Sequence, residues 1–232
     1  MQNNISILCT RSLDAQLIKE AAGKGIDIDV LSFIETIPIE SVEIQQEIEA
    51  ALNASATVVF TSMNAVEAVH ENIIDENPEW TIYCIGNTTK QLVKKYFPLS
   101  EIVGTADSAV ELAELIVEES TAEEVIFFCG DQRRDELPNN LRQHGIEVNE
   151  IVVYQTIALQ HKIEKEYLGI LFFSPSAVES FFKKNKLSAK TILFAIGTTT
   201  ASTIKKYTSN KILVSDQPGK EYLVEKMIEY FT

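Results

Sequence analysis

Two short stretches rich in glycine and threonine have the residue types of an anion-binding turn. Residues 85–89 and 196–200 each follow an apolar run and precede a run with helical periodicity and lysines. Each is therefore predicted to be a glycine turn from a strand into a helix. The first amide groups of a helix have no partner within it, and with nearby hydroxyls they suit a carboxylate or phosphate. The candidate binding residues are Gly86, Asn87, Thr88, Thr89, Gly197, Thr198, Thr199 and Thr200.

Two further turns place serines before predicted helices. Ser62 precedes Met63-Asn64-Ala65, and Ser174 and Ser176 flank Pro175. Ordinary capping of the helix N-terminus, worth about 1 kcal/mol, would explain any one of these turns. Because four equivalent turns occur in the chain, we favour anion or carboxylate binding at all of them.

Two arginines stand beside predicted turns. Arg11 follows Thr10 at the end of the first strand, and Arg134 lies at the start of a predicted helix that follows Gly130. A cation is unfavourable beside the positive end of the helix dipole, whereas a guanidinium is well suited to a bound carboxylate. A surface ion pair with Asp14 or Asp135 explains the two arginines equally well, so both interpretations stay open.

Tyr154 ends a predicted strand over residues 151–154. The residues alone favour packing of its ring at the end of a sheet. The alternative is a phenol that donates a hydrogen bond to a leaving hydroxyl. The three histidines lack the spacing of metal ligands, and the chain has neither a Walker pattern nor a GxGxxG fingerprint. We therefore expect no metal and no nucleotide cofactor.

Alternating apolar runs and helical periods predict an α/β fold with parallel sheets flanked by helices. Strands are expected over residues 5–9, 28–34, 57–60, 81–85, 102–103, 124–129 and 151–154. In such sheets ligands bind beyond the carboxyl ends of the strands. These ends are predicted to carry Thr10, Ser62, Gly86, Gly130, Ser174 and Gly197.

The second half of the chain repeats the first. Gly25-Ile26-Asp27-Ile28 corresponds to Gly145-Ile146-Glu147-Val148 at an offset of 120, and Gly86 corresponds to Gly197 at an offset of 111. Two copies are too few for a solenoid. The repeat instead predicts two similar α/β domains.

Composition limits the classes of partner. The chain has 232 residues, of which 45% are hydrophobic, and a net charge of −14. This charge argues against nucleic acid, which is bound by Lys and Arg patches. No apolar run reaches the roughly 18 residues of a membrane span, and the start lacks the features of a signal peptide. We expect a cytoplasmic protein, a monomer because the repeat supplies an internal pair, and core positions for the three cysteines.

The ordered set of these motifs resembles the uroporphyrinogen-III synthase family. The resemblance covers nearly the whole chain. It is carried by residues 8–11, 60–66, 85–89, 130–137, 153–156, 173–178 and 196–201.

The resemblance implies a discontinuous domain of residues 1–35 plus 160–232 and a continuous domain of residues 38–157. Two chain crossings, near residues 36–39 and 156–160, would form a two-stranded hinge, with the active site in the cleft between the domains.

It also implies the reaction. Family members cyclise linear hydroxymethylbilane with loss of water and inversion of ring D, through a spiro intermediate and without a cofactor. Tyr154 would assist departure of the hydroxyl group, and the glycine and serine turns would bind the eight carboxylates of the substrate. The alternative is a two-domain protein that binds an anion or senses a tetrapyrrole without chemistry.

Overall fold

The computed structural model describes residues 5–52, 55–73, 77–217 and 219–232. Helices and strands alternate along this part of the chain. The strands are β1 (Ile5–Cys9), β2 (Ile26–Val30), β3 (Ile34–Pro38), β4 (Thr57–Phe60), β5 (Thr81–Ile85), β6 (Glu101–Ala106), β7 (Glu124–Gly130), β8 (Glu147–Ala158), β9 (Gly169–Phe172), β10 (Ile192–Ala195) and β11 (Ile212–Val214). The helices are α1 (Ala15–Gly23), α2 (Val42–Leu52), α3 (Met63–Asn72), α4 (Asn87–Tyr96), α5 (Ala109–Glu119), α6 (Glu136–Gln143), α7 (Pro175–Phe182), α8 (Thr198–Lys205) and α9 (Lys220–Phe231).

These elements form two compact units. The first contains the described residues up to Glu35 together with Ile157–Thr232, and the second contains Thr36–Thr156. Each unit has its own sheet with apolar clusters on both faces.

The first unit is built on a five-stranded sheet in the order β11-β10-β9-β1-β2, in which all neighbouring strands are parallel. One face packs against apolar residues of α1 and α9, including Leu17 and Met227. The other face packs against α7 and α8, including Phe181 and Ile204. The inner strands β1, β9 and β10 are largely buried on both faces, which explains their apolar runs.

The second unit has a six-stranded sheet in the order β3-β8-β7-β4-β5-β6. Helices α2, α3 and α4 cover one face around the buried Trp80, whose indole N–H donates to the Ala51 carbonyl oxygen at 2.8 Å. Helices α5 and α6 cover the other face. The prediction of parallel sheets flanked by helices is confirmed in both units.

The outermost pair of this sheet, β3 and β8, runs antiparallel, whereas the other neighbouring strands are parallel. The Ile39 N–H donates to the Val153 oxygen, and the Leu159 N–H donates to the Phe33 oxygen, both at 2.9 Å. Residue numbers therefore rise along one strand as those of their partners fall along the other, which is an antiparallel pairing. These two strands are also the places where the chain passes from one unit to the other.

Three strand predictions were wrong in extent. The predicted strand 28–34 is two strands, because a turn with a bond from Ser32 Oγ to the Ile34 oxygen (2.6 Å) directs Phe33 into the core. Strand β8 does not end at Tyr154 but continues to Ala158, since β3 supplies it with a second partner. Strand β6 runs from Glu101 to Ala106, whereas only residues 102–103 were predicted to be a strand.

Candidate functional site

Three of the predicted site residues meet at the carboxyl end of the second unit's sheet. Tyr154 is half-buried, and its hydroxyl oxygen lies 3.2 Å from Ser62 Oγ, which donates to it. Gly130 pairs with Tyr154 across the sheet. A Cβ atom at Gly130 would lie 2.4 Å from Cζ of the tyrosine, so the ring rests directly on the glycine.

A β-bulge creates this contact. Cys129 pairs with Val152, but Gly130 pairs with Tyr154, so Val153 is the extra residue in β8. Such an extra residue redirects the side chains that follow it. The Asp131 N–H donates to the backbone carbonyl oxygen of Tyr154 at 3.0 Å and fixes the strand beyond the bulge.

Ser62 and Ser174 both cap helices. Ser62 Oγ accepts the Ala65 N–H at 3.2 Å, and Ser174 Oγ accepts the Ala177 N–H at 3.1 Å. Capping, the simpler of the two interpretations of these serines, therefore takes place at both turns. Ser176 is half-buried in the first turn of α7.

The two glycine turns differ from the serine turns. Gly86 precedes α4 and Gly197 precedes α8, and neither helix has a side-chain cap. The backbone N–H groups of the first turn therefore lack the serine oxygen that α3 and α7 have. Four side chains of these turns are exposed and two are buried: Asn87, Thr88, Thr198 and Thr199 are exposed, and Thr89 and Thr200 are buried.

Acidic side chains stand next to the first glycine turn. Gly86 and Asn87 line a depression with Asp107 of the β6–α5 connection and Glu111 of α5. Glu111 Oε2 accepts the Asp107 N–H at 3.2 Å, and Ser108 caps α5, so the glutamate is held at the start of this helix. An anion at Gly86 is therefore opposed by negative charge on this side of the turn.

The remaining predicted residues have surface or structural environments. Thr10 is buried, and its hydroxyl donates to the Leu171 oxygen at 2.8 Å, which links β1 to β9. Arg11 and Arg134 are exposed. Arg134 was predicted at the start of a helix, but α6 begins at Glu136, so the arginine lies in the loop before it.

Asp14 and Asp135, the partners of the alternative interpretation of these arginines, pair with other residues. Arg133, not Arg134, pairs with Asp135. Arg134 Nη1 lies 3.9 Å from Glu136 Oε2. Asp14 lies 3.8 Å from Lys220 Nζ.

Two charged clusters were missed by the sequence analysis. Glu150 of β8 lies between Arg133 and Arg142, with Arg142 Nη2 at 2.8 Å from its Oε1. Asp29 Oδ2 accepts hydrogen bonds from Lys165 Nζ at 2.7 Å and from Tyr167 Oη at 2.8 Å. Their members are separated by up to 138 residues, so no local pattern could have revealed either cluster.

The Asp29 cluster shifts two pKa values. The Lys165 hydrogen bond, helped by that of Tyr167, lowers the pKa of the Asp29 carboxyl against the smaller effect of its burial. Burial, followed by the Asp29 contact, raises the pKa of Tyr167 to about 12.

The cysteines occupy core positions, as predicted. Cys9, Cys84 and Cys129 are free and buried. Burial raises the pKa of Cys9 and Cys84 to about 11 and that of Cys129 to about 12. A thiol with such a pKa is a poor nucleophile near neutral pH.

Neither a metal cluster nor a spanning helix occurs in the described ranges. Residues 5–52, 55–73, 77–217 and 219–232 contain no group of three His, Cys, Asp or Glu side chains placed to hold a metal ion. None of the helices in these ranges is long and apolar enough to cross a membrane.

Comparison with known proteins decides the family. The family model described as Uroporphyrinogen-III synthase HemD matches residues 15–225. The chain belongs to the uroporphyrinogen-III synthase family. The resemblance found in the motifs is thereby confirmed, and the family's place is in tetrapyrrole biosynthesis.

Individual family members are distant in sequence. The uroporphyrinogen-III synthase of Saccharomyces cerevisiae is 26% identical over 199 residues, covering 71% of each chain. The crystal structure of the Helicobacter pylori uroporphyrinogen-III synthetase is similar with a TM-score of 0.70 at 18% identity, covering 97% of this chain and 99% of that one. A mutant Thermus thermophilus uroporphyrinogen III synthase gives 0.68 at 14% identity, covering 97% and 98%. At these identities the structures support the fold, and the sequence match supports the family.

Proposed function

We propose that this synthase is a cofactor-independent hydro-lyase. It takes linear hydroxymethylbilane, eliminates one water molecule and closes the macrocycle with ring D inverted, which gives uroporphyrinogen III. The observation that carries the proposal is the family match, together with a half-buried phenol at the carboxyl end of a parallel sheet. This edge is where ligands of α/β sheets bind.

In the first step Tyr154 acts as a general acid. Its phenol gives a proton to the substrate hydroxyl, the C–O bond breaks, and water leaves with the bonding electrons. The lone pair of the pyrrole nitrogen stabilises the resulting carbocation as an azafulvenium ion. The phenolate then takes the proton of the pyrrole N–H, which gives the neutral azafulvene, regenerates the tyrosine and leaves one water released per turnover.

The second task is to position the azafulvene so that the substituted α-carbon of ring D attacks first. This attack forms the spiro intermediate, whose rearrangement inverts the ring. Positioning of reacting groups contributes at most about 7–11 kcal/mol to such a step. Exclusion of water matters as well, because water would otherwise trap the electrophile.

The carboxylates of the substrate are proposed to bind at the glycine turns. The first-turn amides of α4 and α8 carry no side-chain cap, and Asn87, Thr88, Thr198 and Thr199 are exposed beside them. Arg11 and Arg134 are exposed cations that can add guanidinium contacts. Local donors of this kind allow a polyanion to bind a protein whose net charge is −14.

The two units are proposed to act as two domains joined at β3 and β8. The glycine turn of each unit would bind carboxylates of the substrate. We propose that the protein works as a monomer in the cytoplasm.

The experiment that tests this function is an isomer assay. Protein treated with a chelator and passed through gel filtration is incubated with freshly prepared hydroxymethylbilane, and the oxidised products are separated. The type III isomer is expected at full rate. Formation of the type I isomer alone would contradict the enzyme activity. Type III formation that needs an added metal would contradict only the independence from cofactors.

A further inference from the structure

The hydroxyl of Ser62 is shared between a helix and Tyr154. Its oxygen accepts the Ala65 N–H at 3.2 Å, which caps α3. Its own hydrogen is directed at the Tyr154 hydroxyl oxygen, also at 3.2 Å. Ser62 and Tyr154 are separated by 92 residues along the chain, so this contact is made by the fold alone.

The direction of these two bonds determines what the phenol can do. The serine oxygen accepts the backbone amide, and its hydrogen donates to the tyrosine. The phenol oxygen is then an acceptor toward Ser62, and its own hydrogen remains available for another acceptor. A donor aimed at the phenol oxygen also stabilises the negative charge that forms when the proton leaves.

We propose that Ser62 is the positioning residue that makes Tyr154 an effective acid, rather than a contact to a substrate carboxylate. The proposal rests on the function proposed above for Tyr154. The first N–H groups of α3 orient Ser62. Ser62 in turn orients the phenol and stabilises the phenolate. The phenol proton then faces the departing hydroxyl group.

Gly130 completes the arrangement. The tyrosine ring occupies the space that any larger residue would fill, with the nearest ring carbon 2.4 Å from a built Cβ. The bulge at Val153 brings the ring over this glycine. Ser62 therefore fixes the hydroxyl group of Tyr154, and Gly130 fixes the face of its ring.

The arrangement belongs to one copy of the repeat. At the offset of 120, the counterpart of Tyr154 is Ile34, which carries no hydroxyl, whereas the counterpart of Ser62 at an offset of 112 is Ser174. Ser174 keeps the capping bond to the helix. The serine cap is thus common to both copies, and the phenol that uses it is found in the second unit.

A double-mutant cycle tests the proposal. Steady-state kinetics of hydroxymethylbilane cyclisation are measured for the wild type, Ser62→Ala, Tyr154→Phe and the double variant. Ser62→Ala is expected to lower kcat roughly tenfold, the size of one hydrogen bond to a developing charge, with KM changed less than about twofold. In the Y154F background the same substitution should have almost no further effect, because its only catalytic partner is gone. Ser62→Thr, which keeps a hydroxyl, should recover most of the rate.

Two controls separate positioning from loss of the cap. Ser108→Ala removes an equivalent cap in the same unit, that of α5, and should leave kcat unchanged. Ser62→Gly removes the hydroxyl but retains a residue that starts helices well, so it should be folded and as slow as S62A.

The outcomes test the role of Tyr154 and the role of Ser62 separately. If Y154F turns over at the wild-type rate, the acid role proposed for Tyr154 is wrong. If Y154F is slow but S62A behaves like S108A, the acid role stands and the role of Ser62 is wrong. A raised KM in S62A that persists in the Y154F background would identify Ser62 as a substrate contact and would overturn the proposal.

Discussion

Gly86 and Gly197 occupy equivalent turns of the repeat, but their backbones differ. Gly86 has a φ of 74°, in the region that favours glycine, whereas Gly197 has a φ of −168°, an extended conformation open to any residue. A Cβ atom at either position would meet no other atom within 4 Å. Glycine is therefore required by backbone conformation at the first turn only.

This difference predicts unequal costs of substitution. Gly86→Ala should lower the free energy of unfolding of the second unit by about 1–2 kcal/mol, because an L-residue is strained at positive φ. Gly197→Ala should change the stability of the first unit by less than about 0.5 kcal/mol, and gives the matched control. Urea unfolding, followed by circular dichroism, measures both. Equal costs at the two positions would show that their backbones are alike.

At the scale of single residues, the sequence predicted where residues lie in the fold better than it predicted which residues they contact. Tyr154 was correctly placed on a strand, although not at its end, and the cysteines were correctly placed in the core. The Ser62–Tyr154 bond and the contact with Gly130 depend on a bulge in β8. The alternation of apolar residues does not reveal this bulge, so neither contact was predicted.

At the scale of elements, hydrophobic periodicity predicted most strands because strands covered on both faces are continuous apolar runs. It failed at β2 and β3, where a single polar residue, Ser32, separates the two strands and the buried Phe33 follows it in the turn. It also failed to end β8 correctly, because the second half of that strand depends on pairing with β3.

The Asp29 cluster predicts a pH dependence at this scale, since it ties β2 to the segment before β9. The folded state lowers the pKa of Asp29, so its contribution is complete above the unfolded value of about 3.9 and is lost as the pH falls through the folded value. Asp29→Asn should therefore reduce stability at pH 7, by roughly 0–1 kcal/mol for such a solvent-exposed pair.

Urea unfolding of wild type and D29N at pH 7 and at about pH 3, below the unfolded pKa, measures this effect. The difference between the two proteins should be smaller at about pH 3 than at pH 7. Glu229→Gln, at an exposed residue of the same unit, is the control for the loss of one negative charge. A difference that grows toward acid would contradict the assigned hydrogen bonds.

At the scale of the whole molecule, the internal repeat was the most informative feature of the sequence. It predicted two α/β sheets with equivalent turns, and both units have parallel sheets whose serine and glycine turns lie at carboxyl ends. The repeat could not predict where the copies differ. Tyr154 stands opposite Gly130 in one copy and has Ile34 as its counterpart in the other, and the acidic residues beside Gly86 come from a neighbouring connection.

The central claim is the proposal that the uncapped turns after Gly86 and Gly197 bind carboxylates of the tetrapyrrole. Amide chemical shifts of the 25.9 kDa protein, recorded anaerobically during titration with uroporphyrinogen III, test it most directly. The first turn of α9 after Gly219 also lacks a side-chain cap and serves as the internal control. We expect the amides of Asn87–Thr89 and Thr198–Thr200 to shift during the titration while those of Lys220–Tyr222 stay in place. Absence of shifts at either glycine turn, or equal shifts at the control turn, would contradict the account.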